Sequence, residues 1–125
     1  MTRNFVELGE EIGQHLKNDG VKTNQIRKFL SAVNSVANKV QMESDQLSSD
    51  LADEIQYLRI KLAYQAGRED LKKVHGDASE YGLHYLQKIL DEVIKRIGNS
   101  KSEFEKFNKL VETIVAYHKF YGGED

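Results

Sequence analysis

The chain has 125 residues, of which 39% are hydrophobic and 30% charged, and its formal net charge at pH 7 is −2. This length is typical of one domain with a single hydrophobic core, which we expect to span residues 1–125. No apolar run approaches the ~20 residues that cross a bilayer, and the N-terminus lacks the pattern of a signal peptide. We therefore expect a cytoplasmic protein without a membrane partner. Because the sequence contains no Cys, disulfides, thiolate nucleophiles and Cys-ligated zinc are excluded.

Two helices are predicted in the first third of the chain. Residues 5–16 repeat apolar side chains at helical spacing and end before the turn sequence at 18–20. Thr23 is placed to cap a second helix, which has the clearest amphipathic pattern of the chain over residues 26–40. The polar residues 42–50 then indicate a loop.

The third helix is predicted over residues 51–67, with Gly67 as its C-terminal cap. If that glycine does not end the helix, residues 51–73 could form one longer helix that exchanges between protomers, and the sequence leaves this open. The fourth helix is predicted over residues 77–98, beginning in a capping-box-like sequence at Asp77.

The last helix begins in a capping box formed by Ser100 and Glu103. No alternating strand pattern and no internal repeat interrupts the helical periodicity. The sequence therefore predicts an all-α protein, a single compact bundle of about five helices.

The third predicted helix is apolar on two sides. Five aliphatic residues form one face of the helical wheel, and Tyr57, Ile60 and Tyr64 form a second face almost opposite. Such a helix is either the central helix of the bundle or docks its second face against another subunit. The rings of Tyr64, Tyr117 and Tyr121 are candidates for stacking on bases or ribose, but aromatic rings at helical spacing are more often core or interface. The residues that we expect at a protein interface are Ile60, Tyr64, Tyr117 and Phe120.

Charge is segregated along the chain. Residues 21–41 contain four Lys or Arg and no acidic residue, residues 42–58 contain five acidic residues and no basic one, and residues 59–73 are again basic. If folding brings the two basic stretches together, they form a face suited to phosphate contacts that are independent of base sequence. The alternative is that both stretches are merely the solvated faces of their helices, and charge alone does not decide between the two.

Individual basic residues support the phosphate-binding hypothesis unequally. Arg27 and Lys28 lie outside the apolar stripe of the second helix, so both should be exposed. Arg68 lies at the end of the third helix, where a cation either contacts phosphate or favours the helix dipole. Arg59 falls on the main apolar face, which favours a structural pair with a carboxylate.

The sequence offers little for catalysis. The four histidines fall in different segments and none belongs to an HExxH or similar metal-ligand pattern, so we expect no metal site and no cofactor. His118 lies on the inner face of the last helix, where a hydrogen-bonded core or interface histidine is the expected role. Nothing in the sequence indicates an enzyme.

Three segments resemble the small subunit of the type III-A (Csm) CRISPR effector complex. They are TNQIRKFL at 23–30, QYLRIKLAYQAGRED at 56–70 and LVETIVAYHKFYGGED at 110–125, and they cover about a third of the chain. His118 departs from the apolar aromatic residue associated with its position in that family. The positions that match basic residues of the family are Arg27, Arg59, Arg68 and Lys119.

The resemblance implies a non-catalytic subunit that is present in several copies, forms an inner filament beside the backbone subunits and contacts CRISPR RNA paired to target RNA. Its expected partners are these two RNAs, the backbone and large subunits, and further copies of itself. Target cleavage would belong to the backbone subunit, and the DNase and cyclic oligoadenylate activities to the large subunit. The competing hypothesis is a helical protein–protein adaptor or oligomerisation module without RNA contact. The expected RNA-binding residues are Arg27, Lys28, Arg59, Lys61, Arg68 and Lys119.

Overall fold

In the computed structural model, residues 4–72 and 74–125 are described. They form five α-helices and contain no strand, which confirms the all-α prediction. Lys73, which belongs to the second basic stretch of the sequence, lies outside the described residues, as do residues 1–3 of the N-terminal segment. The helices are α1 (Phe5–Asn18), α2 (Thr23–Val40), α3 (Ser49–Gly67), α4 (Gly82–Lys95) and α5 (Lys101–Phe120), with a short 3₁₀ helix at Ala78–Glu80.

The bundle is built from two closely packed helix pairs. α1 packs along α5 and α3 packs along α4, while α2 contacts both α5 and α3. Glycine allows the first pair to approach, since a Cβ atom on Gly13 would lie 2.8 Å from the backbone nitrogen of His118 and 2.8 Å from the carbonyl oxygen of Ile114. Buried side chains from all five helices form the core, which explains why each predicted apolar stripe is matched by a helix.

The two faces of α3 have different environments. Its main apolar face is buried from Leu51 to Ala66 between the neighbouring helices. On the second face, Tyr57, Ile60 and Tyr64 are 54%, 58% and 67% exposed. α3 is therefore not the central helix of the bundle, because α2 and α4 flank it and neither covers this outward side.

Two predicted helix caps are wrong. Lys22, not Thr23, is the N-cap of α2, and its backbone N–H donates to the side-chain oxygen of Gln25 at 2.9 Å. α3 ends at Gly67, but the C-cap is Arg68 with φ of −84°, so no left-handed glycine is used there. The predicted cap of α5 is confirmed, because the Ser100 hydroxyl accepts the backbone N–H of Glu103 at 3.2 Å.

The start of α4 also differs from the prediction. Asp77 caps only the 3₁₀ helix, and α4 begins at Gly82, whose φ of +52° favours glycine. The first N–H groups of α4 donate to two carboxylates from other segments, Gly82 to Asp19 and Leu83 to Glu69, each at 2.8 Å. Long-range capping of this kind leaves no local sequence signal.

Candidate nucleic-acid interface

A groove with a volume of about 400 Å³ lies between α2 and α3. It brings the two basic stretches together, because Lys28 of α2 and Lys61 of α3 both line it and both are exposed. The convergence on which the phosphate-binding hypothesis depended is thus present. We call this feature the α2–α3 groove; its lining includes Lys28, Ala32, Tyr57, Ile60, Lys61 and Tyr64.

Cations and aromatic rings alternate along the outward face of α3. The Lys61 ammonium lies 6.0 Å from the ring centroid of Tyr57, and the Arg68 guanidinium carbon lies 5.9 Å from that of Tyr64. Both pairs have the i, i+4 spacing that places side chains on one face. Cation–π attraction at exposed sites is worth about 0.5–1 kcal/mol, enough to bias these long side chains toward the rings without fixing them.

Arg59 is held in an ion pair between α3 and α4. Its Nε donates to Oδ1 of Asp91 at 2.8 Å and its Nη2 donates to Oδ2 at 3.4 Å. These hydrogen bonds raise the pKa of Arg59 and lower that of the Asp91 carboxyl below its ordinary value. Lys95 approaches the same carboxylate at 3.3 Å. The structural role favoured for Arg59 by its wheel position is therefore confirmed, and Arg59 does not line the α2–α3 groove.

The remaining predicted RNA-binding residues lie in different places. Arg27 is exposed on α2 but is not part of the groove lining. Lys119 is near the C-terminus of α5, where its ammonium donates to the Gly123 carbonyl and the Asp125 carboxylate, both at 3.3 Å. Arg68 is exposed next to the groove residue Tyr64. The fold thus gathers Lys28 and Lys61 at one groove, with Arg68 beside them.

The residues predicted at a protein interface divide between two surfaces. Ile60 and Tyr64 line the α2–α3 groove. Tyr117 and Phe120 belong to a second surface, which we call the C-terminal aromatic cluster and define as Tyr117, Phe120 and Tyr121. Its ring centroids are 5.2–6.3 Å apart, and Phe120 is 74% exposed.

Tyr121 anchors the C-terminal aromatic cluster to α1. Its hydroxyl donates to the carboxylate of Glu10, which raises the pKa of the Tyr121 phenol. Sequence reasoning considered Tyr121 as a core or interface residue but did not include it among the expected interface residues, and it placed Tyr57 on the second face of the third helix without assigning it to a groove. The seven-residue spacing of Tyr57 and Tyr64 was the available signal for the latter, since it places both rings on one helix face.

His118 is fully buried and both of its ring nitrogens have partners. Nε2 donates to the carbonyl oxygen of Val21 at 2.6 Å, and Nδ1 lies 3.2 Å from the hydroxyl oxygen of Thr23. The predicted role as a hydrogen-bonded core histidine is confirmed. Among residues 4–72 and 74–125, no three His, Asp or Glu side chains are grouped as metal ligands would be. The helices in the same ranges are too short or too polar to cross a membrane.

The fold and this surface define a class, a small all-α protein with an exposed groove that is both basic and aromatic. A family model described as Csm2 Type III-A matches residues 1–124. The chain therefore belongs to the Csm2 family of type III-A CRISPR systems, whose members are small subunits of a multi-subunit effector complex. The resemblance found in the sequence is thus confirmed.

Curated relatives agree with the family match. The chain is 36% identical over 104 residues to the CRISPR system Cms protein Csm2 of Enterococcus italicus, an alignment that covers 82% of this chain and 69% of the relative. It is 31% identical to the protein of the same name from Streptococcus thermophilus, with 98% of this chain and 94% of the relative covered. The Mycobacterium tuberculosis protein of that name is 29% identical, with 97% and 94% covered.

Proposed function

We propose that this chain is a non-catalytic subunit of its type III-A complex that binds the backbone of CRISPR RNA paired to target RNA, without reading base sequence, and scaffolds the assembly. Its partners are then these RNAs, the backbone and large subunits, and further copies of the chain. The observation that carries this proposal is the convergence of Lys28 and Lys61 on the α2–α3 groove. Family membership supports the placement in the complex.

Backbone binding fits the chemistry of this surface. Lys and Arg neutralise phosphates and carry little sequence information, and an A-form duplex presents phosphates and 2′-hydroxyls on a shape common to all sequences. A guide complex must accept any guide sequence, so a subunit that read bases would be counterproductive. A basic groove on a rigid helical bundle meets this requirement although the net charge of the chain is −2.

The proposed RNA-binding set contains four further basic residues, which differ in how free each is to contact RNA. Arg27, Arg68 and Lys119 are exposed. Arg59 is the least favoured, because a phosphate would have to draw it from Asp91, which accepts two hydrogen bonds from it. Removing one partner of such a pair leaves the other uncompensated.

The test is an Arg27→Ala/Lys28→Ala double variant in the assembled complex, measured with two target RNAs of unrelated sequence and matching guides. We expect the affinity to fall by a similar factor for both RNAs. The slope of log affinity against log salt should decrease by roughly one unit for each phosphate that the variant no longer neutralises. Measurement in the complex is needed because one copy contacts only a few phosphates, whereas repeated copies act together.

A matched control is the Lys106→Ala/Lys109→Ala double variant, which removes the same charge from the exposed surface of α5. It should leave affinity and salt slope nearly unchanged. A loss of affinity confined to one RNA sequence would indicate base readout. Unchanged affinity and slope in the Arg27→Ala/Lys28→Ala variant would contradict RNA binding by this surface.

A second candidate function is a protein–protein adaptor that makes no RNA contact. It is favoured by the 74% exposure of Phe120, a large apolar side chain that lies outside the hydrophobic core. The same complex distinguishes the two functions: an RNA-binding subunit would crosslink to RNA under ultraviolet light, whereas an adaptor would not.

A further inference from the structure

We infer that the α2–α3 groove binds one unpaired RNA nucleotide, with the base stacked against Tyr57 or Tyr64 and its phosphate between Lys28 and Lys61. This inference rests on the proposed function and adds to it. A duplex backbone requires only cations, and the groove has exposed aromatic rings as well.

The two tyrosines are arranged as a stacking surface. They are seven residues apart on one helix, so their Cα atoms lie about 10 Å apart along its axis. Both rings are more than half exposed and both line the groove. Stacking on such rings tolerates every base because every base has a π face. It thus preserves indifference to sequence.

The rest of the groove suits a nucleotide in charge and size. Lys28 and Lys61 stand on the two helices that form its walls, and no acidic side chain belongs to its lining. Its volume of about 400 Å³ falls within the range typical of small-ligand sites, roughly 300–1,000 Å³. A paired base within a helix has both faces covered by its neighbours, so only an unpaired base can stack here.

A second protein fits the groove less well. The cores of protein interfaces are depleted in Lys, whereas two lysines line this groove and Arg68 lies beside it. An anionic, aromatic ligand satisfies both the cations and the rings. We therefore place nucleic acid, not a protein segment, in the α2–α3 groove.

The experiment uses the isolated 125-residue chain and three RNA duplexes at low salt, where the few phosphate contacts of a single copy are strongest, with affinity measured by fluorescence anisotropy. One duplex is fully paired, the second carries a single unpaired adenosine, and the third carries an abasic ribose at that position. We expect the duplex with the unpaired adenosine to bind at least about five-fold more tightly than either other duplex. That preference should disappear in a Tyr57→Leu/Tyr64→Leu variant, which keeps apolar side chains but removes the rings.

A Phe120→Leu variant, which removes a similarly exposed ring from another surface, should keep the preference. Equal affinity for the adenosine and abasic duplexes would overturn the inference, as would a preference that survives in the Tyr57→Leu/Tyr64→Leu variant. Unchanged RNA binding by that variant together with loss of incorporation into the complex would assign the groove to a protein partner. If all three duplexes bind equally well, the inference fails and the proposed backbone binding stands. If the chain does not bind RNA either in isolation or within the assembled complex, the proposed function fails.

Discussion

Thr23 and His118 lie 95 positions apart and are joined by a buried 3.2 Å contact between the Thr23 hydroxyl and Nδ1 of His118. Because the Val21 carbonyl can only accept, Nε2 of His118 carries a proton, and in the tautomer that is protonated at Nε2 alone, Nδ1 accepts a hydrogen bond from the Thr23 hydroxyl. The contact thus joins the start of α2 to the last turn of α5.

Thr23→Val should lower the free energy of unfolding by about 1–3 kcal/mol, since it leaves a buried nitrogen without a partner at nearly constant volume. Urea denaturation of the isolated chain measures this.

The control for that measurement is Ser35→Ala. Ser35 is exposed on the same helix, and its hydroxyl donates only to the Ser31 carbonyl one turn earlier. Its removal should change the free energy of unfolding by no more than about 0.5 kcal/mol. Equal effects of the two substitutions would show that the Thr23–His118 contact does not contribute to stability.

The same pair shows what sequence reasoning reaches and what it misses. Helical periodicity placed His118 on the inner face of α5 because burial follows the 3.6-residue repeat. Thr23 matched the usual N-cap residue type, yet its side chain turns to a partner from the other end of the chain. The start of α4 was misplaced for a related reason, since Glu69 supplies its cap from outside the helix. Local sequence patterns predict where the helices lie, whereas tertiary contacts determine which residues cap them.

Two helical glycines differ in the space around them, and we expect their substitution by alanine to have different effects on stability. A Cβ atom on Gly13 would lie 2.8 Å from backbone atoms of α5, whereas one on Gly67 would meet nothing within 4 Å. Gly13→Ala should force the helices apart and lower the free energy of unfolding by about 1–3 kcal/mol. Gly67→Ala should be neutral or stabilising by up to about 1 kcal/mol, because alanine favours the helix. Thermal unfolding of both variants tests the pair, and a Gly13→Ala variant as stable as Gly67→Ala would contradict the observed packing.

The Arg59–Asp91 pair predicts a specific loss of stability in acid. Because Arg59 donates to the Asp91 carboxylate, the pKa of Asp91 in the folded protein lies below its ordinary value of 3.8. Its contribution to stability is therefore complete above 3.8 and is lost as the pH falls through the folded pKa. Asp91→Asn should lower the free energy of unfolding by on the order of 1 kcal/mol at neutral pH. The difference in this free energy between the variant and the unchanged protein should shrink as the pH falls below 3.8.

Glu92→Gln is the control for the acid titration. Glu92 is adjacent in sequence, 60% exposed, and paired only with Lys95 among the ion pairs of the described residues. Its effect on the free energy of unfolding should be small at every pH. A difference between Asp91→Asn and the unchanged protein that stays constant down to pH values well below 3.8 would contradict the depressed pKa.

The candidate site was only partly predictable from sequence. Charge segregation indicated two basic stretches, but their meeting at one groove depends on how α2 packs beside α3. The second apolar face of α3 was recognised, but the sequence left open whether it is covered within the bundle or exposed, because periodicity cannot tell an uncovered face from a buried one. The structure also places Tyr64 and Lys61, predicted for different partners, in the same groove.

The C-terminal aromatic cluster leads to a prediction about assembly. Phe120 is 74% exposed and contacts only the rings of Tyr117 and Tyr121 among the aromatic pairs of the described chain, so Phe120→Glu should leave the isolated protein folded. If the cluster meets a neighbouring subunit, a charge at its centre should weaken incorporation into the complex, since a buried unpaired carboxylate is costly. Co-purification with the other subunits measures incorporation, and circular dichroism checks the fold. Met42→Glu is the control, because Met42 is 86% exposed in the α2–α3 loop, outside both proposed surfaces. Normal incorporation of the Phe120→Glu variant would show that the C-terminal aromatic cluster is not a contact surface in the complex. Unfolding of the isolated variant would instead assign Phe120 to the chain's own core.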